Sequence, residues 1–426
     1  MNLALLLSAL SSLLSRIYAV KSNAPLLAEI QRSQLEFSLN TTCPAAEVYN
    51  FSNWLSVSEP EQNKTCPLDS EIALLGSTSS NLTSNQRECI TTSSPHTAYC
   101  VYTFSNFAGG RGLSIVASPS VASSAIGTSS RLDILPMPQT PENFYEKLLP
   151  GRGKGLIANQ TFQKGDLILT SRPLFMIQEK ALSEMSETDR LRLQQLSVAH
   201  LPEKSKYLFH SLAGHFGGDR IEDVLLTNGF SAALGDSQEG FGVIVPEAAR
   251  LNHDCRPNAR FAFDSHALIH KVHATRVIEP GEELTFSYID EKQAYFVRQQ
   301  IIRAHWGFQC SCKLCSASED ERLRSDNRLR RIAALRKSLF SFTPHSFRTT
   351  SSVLALELVS LYEKEGLDGV LAEAYMVAAV WHCASEEVEE TKKWAKLAVD
   401  HWLVWEAGGA TNLQAMRTLT LQPQGQ

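Results

Sequence analysis

Arg250 to Phe261 reads RLNHDCRPNARF, and Trp306 to Cys315 reads WGFQCSCKLC. In the first stretch, Asn252 and His253 follow Leu251 and precede the β-prone run ARFAF. Polar side chains placed against an apolar residue in this way are half-buried, and a buried amide must find partners for its donors and its acceptor. In isolation the block reads as a capped turn before a strand. The second stretch brings Cys310, Cys312 and Cys315 into one short segment. Three thiolates so close together suit a tetrahedral zinc ion, which takes four ligands. The fourth must come from elsewhere. Cys255 is the unassigned cysteine of the same β-rich region, and Cys383 is the weaker alternative.

Outward from these stretches, the chain from Phe144 alternates short β-branched runs with Gly and Pro turns: GLIANQTF, GDLILTSRPLFMIQ, FGVIVP, ARFAFDS, ALIHKVHATRVI and ELTFSYI. Most are too short for helices and read as strands. Ser183 to Ser211 reads as a helix between them, and Ile221 to Leu226 as a shorter one. Gly151, Gly153 and Gly155 open GRGKGLIANQTFQKGDLIL, a turn whose backbone can approach a ligand closely. No long helix follows it, so it is not a nucleotide fingerprint. Pro280 and Gly281 make a turn into a strand that ends at Tyr288. From Glu319 onward the pattern is helical, with joints at Gly366–Gly369 and near Ser385. The fold class is therefore α+β, with a β-rich unit followed by an α-helical one.

The glycine turn, the Asn-His-x-Cys-x-Pro-Asn block at 252–258, the Glu-Glu-Leu-Thr…Tyr strand and the Cys-x-Cys-x-x-Cys tail occur in this order from Gly151 to Cys315. Together they resemble the SET-domain protein-lysine methyltransferases, most closely the SMYD-like and fungal SET branch. The resemblance implies a β-rich SET fold split by an insert, a post-SET zinc site and a TPR-like helical C-terminal domain. The insert, 178–226, contains no cysteine, so no MYND zinc finger is expected there. The resemblance further implies S-adenosyl-L-methionine and zinc as cofactors. Gly153, Lys154 and Gly155 match the first cofactor loop, and Asn228 an asparagine on the cofactor wall. Asn252 and His253 match the pair that contacts the methionine part, and Phe308 the aromatic on the adenine. Tyr288 matches the catalytic tyrosine lining the methyl-transfer channel, and Cys255, Cys310, Cys312 and Cys315 match the zinc ligands. Two positions depart from the family pattern. Ser287 stands where an Asp is usual, and Trp306 takes the place of a second substrate-channel tyrosine. A Trp offers bulk and one N–H but no hydroxyl. Besides a protein-lysine methyltransferase, two readings follow: a SET-like binding module without catalysis, and a secreted glycoprotein whose SET fold is structural.

The remaining sequence bears on location. The chain has 426 residues, 43% of them hydrophobic, a formal net charge of -5 and a pI of about 6.2. Nothing demands a nucleic-acid partner, and no later segment is apolar enough to span a bilayer. Leu3 to Leu14 has the length of a signal-peptide core, with Ala19 before a cleavage point, although no Lys or Arg precedes it and Ile17 sits where a small residue is preferred. Cys43, Cys66, Cys89 and Cys100 are spaced for disulfides, beside glycosylation sequons at Asn40, Asn50, Asn63 and Asn81. The expected organisation is a signal peptide over 1–19, a Cys- and sequon-rich region and linker over 20–140, and a SET domain over 141–305. A zinc motif over 306–318 and a helical domain over 319–426 complete it. The expected protein is a monomer acting on protein or peptide lysine, in the secretory pathway by its N-terminus or in cytoplasm or nucleus without it.

Overall fold

The structure, a computed structural model, describes residues 88–92, 97–126, 143–235, 239–340, 348–404 and 410–421. The expected signal peptide, Cys43, Cys66 and the sequons at Asn40, Asn50, Asn63 and Asn81 lie outside them.

Strands β1 (Cys89–Thr91), β2 (Ala98–Phe104) and β3 (Leu113–Ala117) come first, followed by helix α1 (Pro119–Ile126). Next are β4 (Phe144–Leu149), β5 (Gly153–Ala158), β6 (Leu167–Ser171) and β7 (Phe175–Gln178). The insert supplies α2 (Glu179–Glu184), α3 (Glu187–Ala199), α4 (Glu203–His210) and α5 (Arg220–Asn228). Then come β8 (Phe230–Ala232), β9 (Phe241–Ile244), β10 (Asn252–His253), β11 (Ala259–Asp264), β12 (Ile269–Ala274) and β13 (Glu283–Phe286). Helix α6 (Tyr295–Trp306) leads to the cysteine tail. The helical domain is α7 (Glu319–Phe340), α8 (Arg348–Glu365), α9 (Leu371–Ala384), α10 (Val388–Val404) and α11 (Ala410–Thr420).

Among the described residues the strands form three sheets, ordered β1-β2-β3-β7-β9-β8, β10-β13-β5-β4 and β11-β12-β6. The first sheet joins strands from both sides of residue 140. β3 pairs in parallel with β7, Ser114 opposite Phe175 and Val116 opposite Ile177, so the strands from Cys89 to Ala117 belong to the same sheet as the later ones. Both faces of that sheet are covered, and its strands alternate accordingly. Tyr99, Val101, Val116, Phe175, Ile177 and Ile244 face the insert helices. Tyr102, Ile115, Met176, Phe241 and Val243 face the core shared with the other strands. Cys89 lies opposite Cys100 across β1 and β2, and the two form a disulfide. A bidentate pair between Arg111 and Glu247, with both contacts at 2.8 Å, fastens the turn before β3 to the turn before β10.

The expected helix from Ser183 to Ser211 is three helices. Glu184 ends the first. Ser186 then caps α3 by accepting the Asp189 N–H at 3.2 Å, and Pro202 starts α4 because it lacks the N–H that would continue α3. The run GDLILTSRPLFMIQ is likewise two strands, β6 and β7, which enter different sheets. In the helical domain each helix packs against the next. Ser318 and Glu321 form a capping box at its start: the serine hydroxyl accepts the Glu321 N–H at 3.3 Å, and the glutamate accepts the Ser318 N–H at 3.1 Å.

A buried carboxylate joins this domain to the β-rich unit. Glu365, at the end of α8, has 1% of its side chain exposed. It accepts from Arg256 at 2.6 Å, from Arg328 at 2.6 Å and from the Ser325 hydroxyl. Arg256 directly follows Cys255, so the domain contact and the cysteine cluster share one segment of chain.

Candidate active site and metal centre

β10 and β13 meet in parallel, with Asn252 opposite Thr285 and His253 opposite Phe286. β13 in turn pairs with β5, Leu284 opposite Leu156. This ladder brings the glycine turn, the Asn-His block and the strand of Tyr288 to one place. Gly151 and Gly153 adopt φ of 70° and 72°, the left-handed backbone that favours glycine. At Gly155 the constraint is space. A Cβ there would lie 2.7 Å from Leu149, and 2.9 Å from both the Asn252 amide nitrogen and a Glu283 carboxylate oxygen.

Asn252 donates to Glu283 at 2.8 Å and to the Lys154 carbonyl at 3.4 Å. Arg152 pairs with Glu283 at 3.0 Å and donates to the His253 carbonyl at 3.0 Å. Lys154 pairs with Glu146 at 2.7 Å, and Arg250 reaches the same carboxylate at 3.1 Å. Glu283 and Arg152 are thus part of the site although the sequence motifs did not single them out. Glu283 lies inside the Glu-Glu-Leu-Thr…Tyr strand, and its signal was a carboxylate at the mouth of a strand that also carries the tyrosine.

Tyr288 is walled by aromatic rings: Phe286 at 5.1 Å, His253 at 5.3 Å and Trp306 at 5.1 Å between centroids. Its hydroxyl donates to the Leu251 carbonyl at 3.0 Å. Burial pushes the phenol above its ordinary value, so it is neutral at physiological pH. Trp306 closes the end of α6, and its indole N–H donates to the Thr227 carbonyl at 3.2 Å. The expected donor of the substrate channel is therefore committed to α5. Asn228, next to Thr227, is buried, and its amide donates to the Ala213 and Val224 carbonyls at 2.7 and 2.9 Å. Gly307 follows with φ of 71°, and any Cβ there would meet the His215 ring, so only glycine can turn the chain here. Phe308 then lies 6.4 Å from the His253 ring.

Cys255, Cys310, Cys312 and Cys315 form one buried cluster whose sulfurs all lie within 4.8 Å of one another. The Cys255 sulfur is 3.8 Å from that of Cys310 and 3.6 Å from that of Cys315. A tetrahedron with Zn–S bonds of about 2.3 Å places its sulfurs about 3.8 Å apart, so the spacing fits a zinc ion and is too long for disulfides. Cys383, the alternative fourth ligand, is disulfide-bonded and buried in the helical domain. Two side chains frame the cluster. Gln299 grips the Cys310 backbone in both directions, donating to its carbonyl at 2.9 Å and accepting its N–H at 3.0 Å. Arg298, 1% exposed, comes within 4.0 Å of the Cys315 sulfur. Burial works against its charge, but the Cys255 and Cys315 sulfurs outweigh that and hold its pKa above the ordinary value. A buried guanidinium is the expected counter-charge for four thiolates around a divalent ion.

Residues 153–289 match the SET domain family. The histone-lysine N-methyltransferase set5 of Schizosaccharomyces pombe is 30% identical over 200 residues, covering 46% of this chain and 54% of that protein. The protein-lysine N-trimethyltransferase SMYD5 of Mus musculus is 36% identical over 86 residues, 20% of each chain. The histone-lysine N-methyltransferase SMYD3 of Mus musculus is 27% identical over 145 residues, 34% of this chain and 33% of that one. The chain spans about half the length of the first of these relatives and less of the others. No helix among the described residues is long and apolar enough to cross a membrane.

Proposed function

With a SET domain across residues 153–289 as the starting point, we propose that the protein transfers methyl groups from S-adenosyl-L-methionine to lysine side chains of proteins. The observation that carries this reading is the convergence of Gly153–Gly155, Asn252–His253 and Tyr288 on one short ladder, with Phe308 delivered to it by the cysteine tail. Gly155, Lys154, Asn252 and His253 would hold the cofactor, with Asn228 and Phe308 on its wall. The cofactor supplies an electrophilic methyl group on a sulfonium.

The protein's own residues do the rest. A lysine amine must be neutral to attack, and its ordinary pKa of about 10.4 keeps it charged in water. The surroundings of Tyr288 are buried, and keeping water from the amine favours loss of its proton. A neutral Tyr288 and the neighbouring main-chain carbonyls orient the amine, and positioning of this kind supplies much of the rate in a displacement. Tyr288 need not act as a base. Trp306 cannot offer its N–H to the amine while Thr227 holds it, so it acts through bulk and limits how many methyl groups the channel admits.

Zinc held by Cys255, Cys310, Cys312 and Cys315 is structural in this reading, and the cysteine tail is a post-SET segment. The packing of each helix of residues 319–421 on the next supports a TPR-like domain. The Cys89–Cys100 disulfide supports passage through an oxidising compartment. Under that reading native protein begins near Val20 and carries glycans at Asn40, Asn50, Asn63 or Asn81. Native protein that retains Met1 and lacks glycans would place it in cytoplasm or nucleus instead.

Calorimetry on zinc-loaded protein should show one cofactor site, and Asn252→Ala should weaken it by about 1–3 kcal/mol, since Glu283 loses a half-buried amide donor at 2.8 Å. Labelled methyl uptake by lysine peptides should fall in Tyr288→Phe, and Trp306→Tyr should change the number of methyl groups added. Absence of cofactor binding refutes the proposal. Binding with no uptake above Tyr288→Phe leaves a binding module, a reading consistent with the Trp306 N–H and the Tyr288 hydroxyl both being engaged within the protein.

A further inference from the structure

Besides its place at the proposed cofactor site, His253 has a side chain that makes two contacts inside the protein. It is 1% exposed. Its Nδ1 accepts the main-chain N–H of Tyr288 at 3.0 Å, and its Nε2 lies 3.3 Å from the sulfur of Cys255. The first contact fixes the second. A main-chain N–H can only donate, so Nδ1 must present its lone pair, which a doubly protonated ring lacks. The imidazole is therefore neutral with its proton on Nε2, and that proton points to Cys255 Sγ.

The Tyr288 contact compensates for the end of a strand. The parallel ladder of β10 and β13 ends at His253 and Phe286, with the Asp254 N–H donating to the Phe286 carbonyl at 3.1 Å. Tyr288 lies two residues further on, and its N–H is taken by the imidazole. Where main-chain pairing stops, the ring carries it on, because a buried N–H needs a partner. A zinc-bound thiolate accepts hydrogen bonds strongly, and such contacts orient ligands and tune the metal.

We infer that His253 is a positioning residue that couples the zinc cluster to Tyr288: its Nε2–H donates to the Cys255 thiolate while its Nδ1 holds the Tyr288 backbone. Metal occupancy and the placement of the channel tyrosine are then linked through one ring, 1% exposed and flanked by the rings of Tyr288 and Phe308. The functional meaning of the link rests on the proposed methyltransferase reading, but its physical signature does not.

The test uses full-length protein loaded with zinc or cobalt. In the wild type, nitrogen NMR of labelled imidazoles should show one ring with a pyridine-type Nδ1 and a protonated Nε2. It is assigned by its loss in His253→Gln. Cobalt-loaded protein reports the thiolate directly. Loss of the N–H donor raises the energy of the sulfur electrons, so the sulfur-to-cobalt charge-transfer band should move to longer wavelength in His253→Leu. Transfer of zinc to a chelator should be about tenfold faster in that variant. His253→Gln, whose amide can accept at one atom and donate at the other, should recover part of both changes. An Nδ1–H or charged ring in the wild type overturns the inference, and that result needs no variant to fold. So does a folded His253→Leu protein with unchanged cobalt spectrum and metal release. Failure of methyl transfer on every lysine substrate would refute the proposed function while leaving these readouts intact.

Discussion

Glu365→Ala removes the carboxylate on which the two parts of the molecule meet. Its side chain is 1% exposed and receives two guanidinium contacts at 2.6 Å and the Ser325 hydroxyl. Breaking a buried ion pair by removing one partner costs about 3–5 kcal/mol, because the other charge is stranded. Arg256 is the partner that suffers, with 15% of its side chain exposed, whereas Arg328, at 30%, can turn to water. Arg256 keeps contacts to the carbonyls of Cys255 and Glu291, which offset part of its loss. The expected cost is about 3 kcal/mol, a large part of the roughly 5–15 kcal/mol that holds a folded domain together. With a urea m value of about 3 kcal/mol/M, the midpoint should fall by about 1 M. The double variant Glu365→Met with Arg256→Met should recover most of the loss, since packed apolar side chains replace a buried pair at little cost. A midpoint shift in Glu365→Ala worth less than about 1 kcal/mol, or a double variant no more stable than the single one, would refute the reasoning.

Gly155→Ala puts a methyl group within 2.9 Å of both the Asn252 amide and Glu283; it should destabilise the fold by about 1–3 kcal/mol and weaken cofactor binding more than a distant substitution of equal cost, measured by calorimetry beside urea titration. Burial alone would raise the pKa of Glu247, but Arg111 and the Ser171 hydroxyl outweigh it and hold the carboxyl below the ordinary range. A carboxyl depressed on folding stabilises above its unfolded pKa of about 4.3 and loses that contribution as pH falls through its lower folded value. Urea midpoints should therefore drop below about pH 5, and Arg111→Ala should lower the plateau at pH 7 and flatten that acid limb.

Where function-bearing residues lie close in sequence, they were legible there. Three cysteines in one short tail pointed to a fourth, and Cys255 lies with them in one buried cluster. The strands from Gly153 to Phe286 could be read from their alternation and their Gly and Pro turns. Pairing between distant short runs could not. LSIV at 113–116 and FMIQ at 175–178 are each too brief to declare a partner, and the parallel register between them is set by two opposing cores. Helix breaks at Ser186 and Pro202 were visible as residue types, but leucines on either side kept a helical spacing across them. Arg152, Arg298 and Glu365 were invisible as site or contact residues because charged side chains carry no periodicity, and their partners are fixed only once the strands and helices have assembled.

The order of the six-stranded sheet has a practical side for recombinant work. A fragment trimmed to the residues that match the SET family would begin after β3, and would leave β7 as an outermost strand. Phe175, Met176 and Ile177 are each at most 2% exposed in the intact chain, and the unpaired main chain of β7 would offer them to a second molecule. Such a fragment should come out of cells as inclusion bodies or soluble aggregates, whereas one that starts before Glu88 keeps the strand covered. Poor yield from the short version would then reflect missing neighbours, β3 beside β7 and β4 beside β5, together with the loss of the cysteine tail.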